Sequence, residues 1–497
     1  NINFTGSNSV TFLASMDNML DAQNDTSNST TAAAVIATDT MTAGTSRIEF
    51  NVTAGAALDV SKLAVDELAL GFALGGSDAF TVATGQTMVV NFDQTSDIAL
   101  TAPAVAGNTF TLRIDDNANA ATVTGDMAGI TGTNIANLTI AANDPNTTAM
   151  TTGAINVGTA NTVTVTGAAD VNVNGAVTAG AFNSAAHTGT MTISATNATT
   201  AFTLGSGNDT LTSAGATALS INGGAGSDTL VLAGADYSAL AVSLSNIETL
   251  NVAATGGTLA GSHVTGGSYV IVGDAVGDAF GVTAKTATGE TVDLSNTAST
   301  LTVVTLTGNN GADALTGSST TSTTFVGGTG SDTLVGGSAA DTFTVTLEAG
   351  AGDGITAGGG ADIIQTNTTT AATISPVTVT DFNPGTIATT VDIAKMSLTA
   401  LKGLTTVTDV VDTGANSAAN TNNTVVILTA DNQTPAAADL VVLSQVYASD
   451  AAALAGMATA GSDTFVTTAL TDNDAVMVAY YTGSATHIAA AVTASSS

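Results

Sequence analysis

The chain has no cysteine and no tryptophan, only five prolines and three histidines, and just six Lys and Arg among 497 residues. Each scarcity removes a class of answer. Without cysteine there is no disulfide framework and no thiolate metal site. Six cations against 40 acids leave a formal net charge of −34, so the chain lacks the basic footprint that nucleic acid or an anionic membrane surface requires. No apolar run approaches the roughly 18 residues of a membrane-spanning helix. Aromatics make up 4% of the chain, so small β-branched residues must fill its core. That favours thin, repetitive β layers over a large globular enzyme fold. With 44% hydrophobic and 9% charged residues the composition opposes disorder, and 53 glycines oppose a long coiled coil.

Asp, Gly, Thr, Asn and Ala are what the chain does have. Asp supplies 35 of the acids and Glu only five. A solvated helical surface mixes Glu with Lys, whereas Asp favours turns and short-reach oxygen ligation. Length suggests two to four domains, and composition divides the chain at about residues 200 and 370. The chain starts on Asn1 with neither an initiator Met nor a charged-then-apolar leader over 1–10. A processed end and a fragment are therefore both open readings.

Residues 1–200 are a Thr/Asn/Ala-rich β domain, expected as a sandwich or a solenoid. Alternation dominates it: Thr162-Val163-Thr164-Val165-Thr166 and Val171-Asn172-Val173-Asn174 read as half-buried strands ending at Gly167 and Gly175, and 191–194 continues the pattern. Phe12, Met16, Met19 and Leu20 stand at helical spacing and predict one short helix over 11–25. Residues 58–70 fit helix or strand equally. Residues 371–497 read as a mainly β capping and secretion region. It has a turn at 381–385, strands at 425–428, 441–443 and finally 475–481, and a short helix over 449–458.

The middle third, 201–370, carries a repeat. Residues 223–231 read GGAGSDTLV and 327–335 read GGTGSDTLV. Residues 336–344 follow at once as GGSAADTFT. Residues 308–316 read GNNGADALT, 204–212 LGSGNDTLT and 357–365 AGGGADIIQ. Glycines at positions 1, 2 and 4 permit a tight backbone turn, including φ > 0, and leave carbonyls unshielded. Asp at position 6 adds a short, hard carboxylate. Calcium takes six to eight oxygens, so the candidate ligands are Asp209, Asp228, Asp313, Asp332, Asp341 and Asp362. Around them stand Gly205, Gly207, Gly223, Gly224, Gly226, Gly308, Gly311, Gly327, Gly328, Gly330, Gly336, Gly337, Gly358 and Gly360. Position 8 is apolar in all six, as Leu211, Leu230, Leu315, Leu334, Phe343 and Ile364, and lies on the same strand face as the Asp. Turn, strand, turn, strand predicts a coil of about 18 residues. Asp209 to Asp228 and Asp313 to Asp332 are 19 apart, which reads as an interrupted register and predicts fewer ions than motifs. Asp353 lacks the full glycine frame, and Asp274/Asp278 reads as a surface turn.

These nonamers resemble the G-G-x-G-x-D-x-U-x repeat of RTX proteins, a secreted calcium-dependent bacterial family, over roughly 204–365. The segment Asn246-Ile247-Glu248-Thr249-Leu250-Asn251-Val252 is similar to segments of RTX-bearing surface-layer proteins, and 381–394 and 475–481 to the tails that follow RTX blocks. The resemblance implies a parallel β-roll with calcium between its turns. It also implies type I secretion by a C-terminal signal and folding outside the cell. The chain departs from the family in how few of its nonamers are uninterrupted.

No catalytic set accompanies the repeat. His187, His263 and His487 are far apart, and there is no H-E-x-x-H, no G-x-S-x-G and no Walker loop around Lys62, Lys285, Lys395 or Lys402. Asp115/Asp116 reads as a solvated turn after a strand rather than a glycosidase pair. The expectation is an all-β, non-enzymatic, calcium-dependent structural protein of the cell exterior, either a surface layer or a filament. It would self-assemble as a homo-oligomer and is not expected to span a membrane. An adhesin gripping cell-surface glycan through 1–200 is the alternative, and an enzyme with an RTX tail is a weaker third reading.

Overall fold

A computed structural model describes most of residues 45–381. Within that span 51–57, 72–78, 92, 115–125, 144–148, 197–200, 214–217, 235, 253–256, 266, 274–277, 287, 302, 347–351 and 368–376 lie outside the described residues. Outside the span it describes 2–5, 10–14, 37–39, 393–396, 440–446, 475–481 and 486–492. The architecture is a parallel β-solenoid in two compact units. One comprises Asn1–Gly234 with Leu240–Asn251, and the other Ala235–Ala239 with Val252–Ser497. Among the described residues the only helix is the single turn Gly261–Val264.

In the first unit the chain alternates between two ladders of parallel strands. One ladder stacks Val10–Ala14, Ser46–Phe50, Glu67–Leu70, Thr87–Val90, Thr109–Ile114 and Asn137–Ala142. It then takes the second halves of Met150–Gly167 and Val171–His187, and after them Ala201–Thr203, Leu219–Asn222 and Val242–Ser245. The other runs from Leu58–Asp59 through Ala79–Thr81, Ile98–Thr101 and Met127–Thr133. It continues through the first halves of the same two long strands to Met191–Thr196, Thr210–Ser213 and Thr229–Leu232. The pairings Phe182↔Phe202 and Thr192↔Thr210 carry both ladders across residue 200.

Alternation explains the core. In Thr162–Thr166 the valines face inward and the threonines outward, and Val163 stacks with Leu138 and Phe182 through the ladder register. Leu138, Val163, Phe182, Phe202 and Ile221 are all buried. Phe182 and Phe202 meet with ring centroids 5.9 Å apart. Burying each such side chain contributes roughly 1.5–3 kcal/mol. Two of the six cations lie near one end of the first ladder, where Arg47 pairs with Glu49 and Glu67, and Arg113 also reaches Glu67.

The second unit repeats the plan. One ladder stacks Gly257–Ala260, Phe280–Thr283, Val304–Thr307, Thr323–Val326, Thr342–Thr346, Ile363–Asn367 and Ile393–Met396. The other stacks Thr291–Asp293, Ala314–Thr316, Thr333–Val335, Gly354–Thr356 and Val377–Val379. Thr486–Val492 pairs antiparallel to Val377–Val379, and Ala475–Tyr481 and Leu440–Val446 follow. Phe325 and Phe343 stack in the core at 4.6 Å.

Several local expectations change. Val10–Ala14 is a strand, not the start of a helix, and Phe12 is exposed; the rest of 11–25 lies outside the described residues. Residues 58–70 hold two strands, Leu58–Asp59 and Glu67–Leu70. Gly175 does not end its strand. Val171–His187 runs through it, because a Cβ there would stand 2.3 Å from Ala154 N and only glycine lets the coils meet so closely. Ala475–Tyr481 is followed by a further strand, Thr486–Val492. The expected helix over 449–458 and strand over 425–428 lie outside the described residues.

Candidate metal centre

Every nonamer forms one turn and enters one strand of the solenoid. The tandem pair does not stack on itself: 327–335 ends in Thr333–Val335 of one ladder and 336–344 in Thr342–Thr346 of the other. The two tandem nonamers therefore sit on opposite edges. Turn 204–209 stacks with 223–228, 308–313 with 327–332, and 336–341 with 357–362. The position-8 side chains Leu211, Leu230, Leu315, Leu334, Phe343 and Ile364 are all buried in the core.

Stacking brings the aspartates into three columns, each carboxylate accepting a backbone N–H from the preceding coil. In the first, Met191 N donates to Asp209 Oδ1 (2.7 Å), Asp209 N to Asp228 Oδ1 (2.8 Å) and Asp228 N to Glu248 Oε2 (2.7 Å). In the second, Glu290 N donates to Asp313 Oδ1 (2.7 Å), Asp313 N to Asp332 Oδ1 and Asp332 N to Asp353 Oδ1 (both 2.9 Å). In the third, Thr323 N donates to Asp341 Oδ1 (2.6 Å) and Asp341 N to Asp362 Oδ1 (2.8 Å). The intervals are 18 to 21 residues, apart from the 23-residue step at Glu290. The 19-residue spacing is thus no break in register, since loops absorb the extra residue and the hydrogen bond survives.

Three acids outside the nonamer set join these columns: Glu248, Glu290 and Asp353. What marks them in sequence is an acid placed just before a strand, about one coil from a nonamer Asp. Asp278 also departs from the surface-turn reading. It is buried, and its Oδ2 lies 2.7 Å from where a Cβ on Gly273 would be. The position-1 glycines make the same room in the nonamers: a Cβ at Gly223 would meet Asp228 Oδ2 at 2.5 Å, and one at Gly336 would meet Asp341 Oδ2 at 2.5 Å. Asp274 and Asp115/Asp116 lie outside the described residues.

The glycines at positions 2 and 4 serve close stacking. Gly224 and Gly226 have φ of +99° and +127°, and a Cβ on them would stand 2.0 Å from Gly205 O and 2.2 Å from Gly207 O. Gly328, Gly330, Gly358 and Gly360 repeat this conformation. The carbonyls expected to face an ion also join the coils: Gly205 O accepts from Ala225 N (2.9 Å) and Gly337 O from Gly359 N (2.8 Å). A carbonyl has a second lone pair, so each can still face a cation.

All six nonamer aspartates are at most 1% exposed. Burial pushes Asp209 and Asp313 above the ordinary carboxylate range, and takes Asp228 and Asp341 to about 6, against the lowering effect of their N–H donors. The Oδ2 atoms of Asp228 and Asp313 are buried with no hydrogen-bond partner. An oxygen in that state needs a proton or a cation. Among the described residues no three acidic or imidazole side chains converge on one point, so an ion here must draw on backbone carbonyls as well. Calcium, a hard oxygen-seeking cation, fits that donor set.

His187 is buried with Nε2 2.7 Å from Ala169 O, and His263 Nδ1 accepts from Ala260 N. No described helix is long and apolar enough to cross a membrane. The fold and its turns define a parallel β-solenoid with internal carboxylate columns. The chain matches no family model, no curated protein and no solved structure.

Proposed function

We propose that this is a secreted structural protein that folds around calcium and self-assembles on the cell exterior, as a surface layer or a filament. The observation that carries the reading is the pair of buried, unpartnered oxygens on Asp228 and Asp313, set in columns of stacked carboxylates. Ionised at neutral pH, these columns place like charges one coil apart. Calcium supplies the missing positive charge. Its ligands are drawn from among Asp209, Asp228, Asp313, Asp332, Asp341 and Asp362, together with glycine carbonyls of the stacked turns. The nonamers' resemblance to RTX repeats supports calcium, secretion and an extracellular site.

The remaining acids favour assembly. A chain of charge −34 repels its copies until divalent ions screen or bridge them. Outward strand positions such as Thr139, Thr164 and Thr203 are uncharged, so faces can approach where the turn edges cannot. No catalytic role is assigned to any residue.

The test uses the full chain. Calcium at millimolar concentration should sharpen the β signal in circular dichroism and yield lattices or fibres by electron microscopy, and EGTA should reverse both. A chain that folds and assembles identically in EGTA would refute the calcium role. Calcium-bound monomers that retain glycan would favour an adhesin.

A further inference from the structure

We propose that the backbone handedness at the second residue of each nonamer decides whether its carboxylate takes an ion. Turns 223–228 and 308–313 are cation sites. Turns 204–209 and 336–341 are closed by their own backbone and take none. The inference rests on the calcium reading above and narrows it.

The six turns share a sequence pattern but not a conformation. In the closed turns position 2 is Gly205 or Gly337, and neither lies in the left-handed region. Its N–H points back into the turn and donates to the carboxylate of the same nonamer: Gly205 N to Asp209 Oδ2 at 3.1 Å, and Gly337 N to Asp341 Oδ2 at 2.8 Å. Both oxygens of Asp209 and Asp341 then accept backbone N–H groups. A carboxylate satisfied in this way must break a hydrogen bond to receive an ion.

In the open turns position 2 has crossed to positive φ, +99° at Gly224 and +69° at Asn309. That rotation turns the N–H away from the carboxylate, and Gly224 N donates to Asn222 Oδ1 instead (3.2 Å). Asp228 Oδ2 and Asp313 Oδ2 are left buried and unpartnered. Carbonyls of the neighbouring coil crowd position 2 in both classes of turn, Gly205 O 2.0 Å from a Cβ position on Gly224 and His187 O 2.1 Å from one on Gly205, so what sets the open turns apart is the freed carboxylate oxygen. An unsatisfied carboxylate oxygen and crowded carbonyl oxygens are the donor set calcium takes. Positive φ at Gly328 (+99°) and Gly358 (+93°) places 327–332 and 357–362 in the open class.

The test is calcium stoichiometry by equilibrium dialysis and calorimetry on the full chain and four variants, Asp209→Asn, Asp228→Asn, Asp313→Asn and Asp341→Asn. Asparagine retains the Oδ1 acceptor that joins the coils. Asp228→Asn and Asp313→Asn should each lose about one ion per chain, and Asp209→Asn and Asp341→Asn should keep the wild-type count. Hydrogen exchange on the unmutated chain provides a reading that no misfolded variant can obscure. Calcium should slow exchange at the amides of 223–228 and 308–313 and leave 204–209 and 336–341 unchanged. Calcium that binds but is lost equally from Asp209→Asn, or protects the closed turns equally, overturns the inference. A wild-type chain that binds no calcium overturns the reading beneath it as well.

Discussion

Calcium and pH should act on the same oxygens, and the size of the effect follows from burial. Asp228 has a carboxyl raised from 3.8 to about 6, chiefly because burial disfavours its charged form. At about 1.4 kcal/mol per pH unit, that displacement is worth about 3 kcal/mol. The sign follows from the raised folded value. The folded chain holds this proton more tightly than the unfolded chain, so the stabilisation is complete below about 3.8 and is lost as pH rises through about 6. In EGTA the first unit should therefore be more stable at pH 5 than at pH 7.5 by about 1.4 kcal/mol from this group, since about one pH unit of the displacement lies above pH 5, with Asp209 adding in the same direction. For a unit of this size that is roughly 3–6 °C in melting temperature. Calcium at about 100 times its Kd returns about 2.7 kcal/mol at pH 7.5, more than offsetting that loss. The assay is differential scanning calorimetry at pH 5, 6 and 7.5, in EGTA and in calcium. Working at pH 5 stays above the sequence pI of about 4.1. Asp228→Asn should remove its share of the pH dependence in EGTA. Asp341 is also raised to about 6, but it sits in a closed turn, so its share should persist in calcium. A melting temperature that rises steadily from pH 5 to 7.5 in EGTA would refute the reasoning, as would one indifferent to calcium at pH 7.5.

Other substitutions test the packing separately from the ions. Gly224→Ala places a Cβ 2.0 Å from Gly205 O at φ +99°; urea unfolding should show a loss of about 2 kcal/mol or more, with calcium recovering little of it. Leu334→Ala opens a cavity between Leu315 and Ile355 and should cost about 2–5 kcal/mol by the same measurement. Thr164→Ala, on the outward side of its strand, loses only the hydrogen bond that its Oγ1 donates to Asn137 Oδ1 and should cost about 0.5–1.5 kcal/mol. If it costs as much as the leucine, the inward and outward assignment of that ladder is wrong.

The nonamers and the alternating strands could be read from sequence because both rest on local rules. Gly at φ > 0 and Val alternating with Thr each constrain a few adjacent residues. Longer-range features were hidden by irregular coil lengths. Thr109 pairs with Asn137 and Ile98 with Ile130, intervals of 28 and 32 residues, whereas Arg47 pairs with Glu67 at 20. No fixed period marks residues 1–200 as a solenoid. Glu248 was missed because no glycine frame surrounds it; its place in the column comes from the coil beneath. At Val10–Ala14 the apolar residues suit a strand, whereas Met16 and Met19, which completed the helical spacing with Phe12, lie outside the described residues. The open and closed turns were illegible, since Gly205 and Gly224 are the same residue type in the same motif position.

The third column has a neutral end, and it allows charge to be tested apart from shape. Thr324 pairs with Thr342, so Thr323 stands beside Asp341 where another aspartate would continue the column. Its hydroxyl does the carboxylate's structural work. Ser318 N donates to Thr323 Oγ1 at 3.3 Å, as Gly337 N donates to Asp341 Oδ2, and a Cβ on Gly317 would meet that Oγ1 at 2.7 Å. Thr323→Val retains the shape and removes the acceptor. Leaving a buried N–H unmatched should cost about 1–3 kcal/mol at every pH. Thr323→Asp keeps an acceptor but adds a buried negative charge next to Asp341, which should raise the carboxyl of Asp341 further. Its cost should therefore be small at pH 5 and larger at pH 7.5, and calcium should not relieve it, because both turns are closed. Urea unfolding at the two pH values separates the cases. Equal cost for Thr323→Asp at both would mean that shape alone, and not charge, limits how far these columns extend.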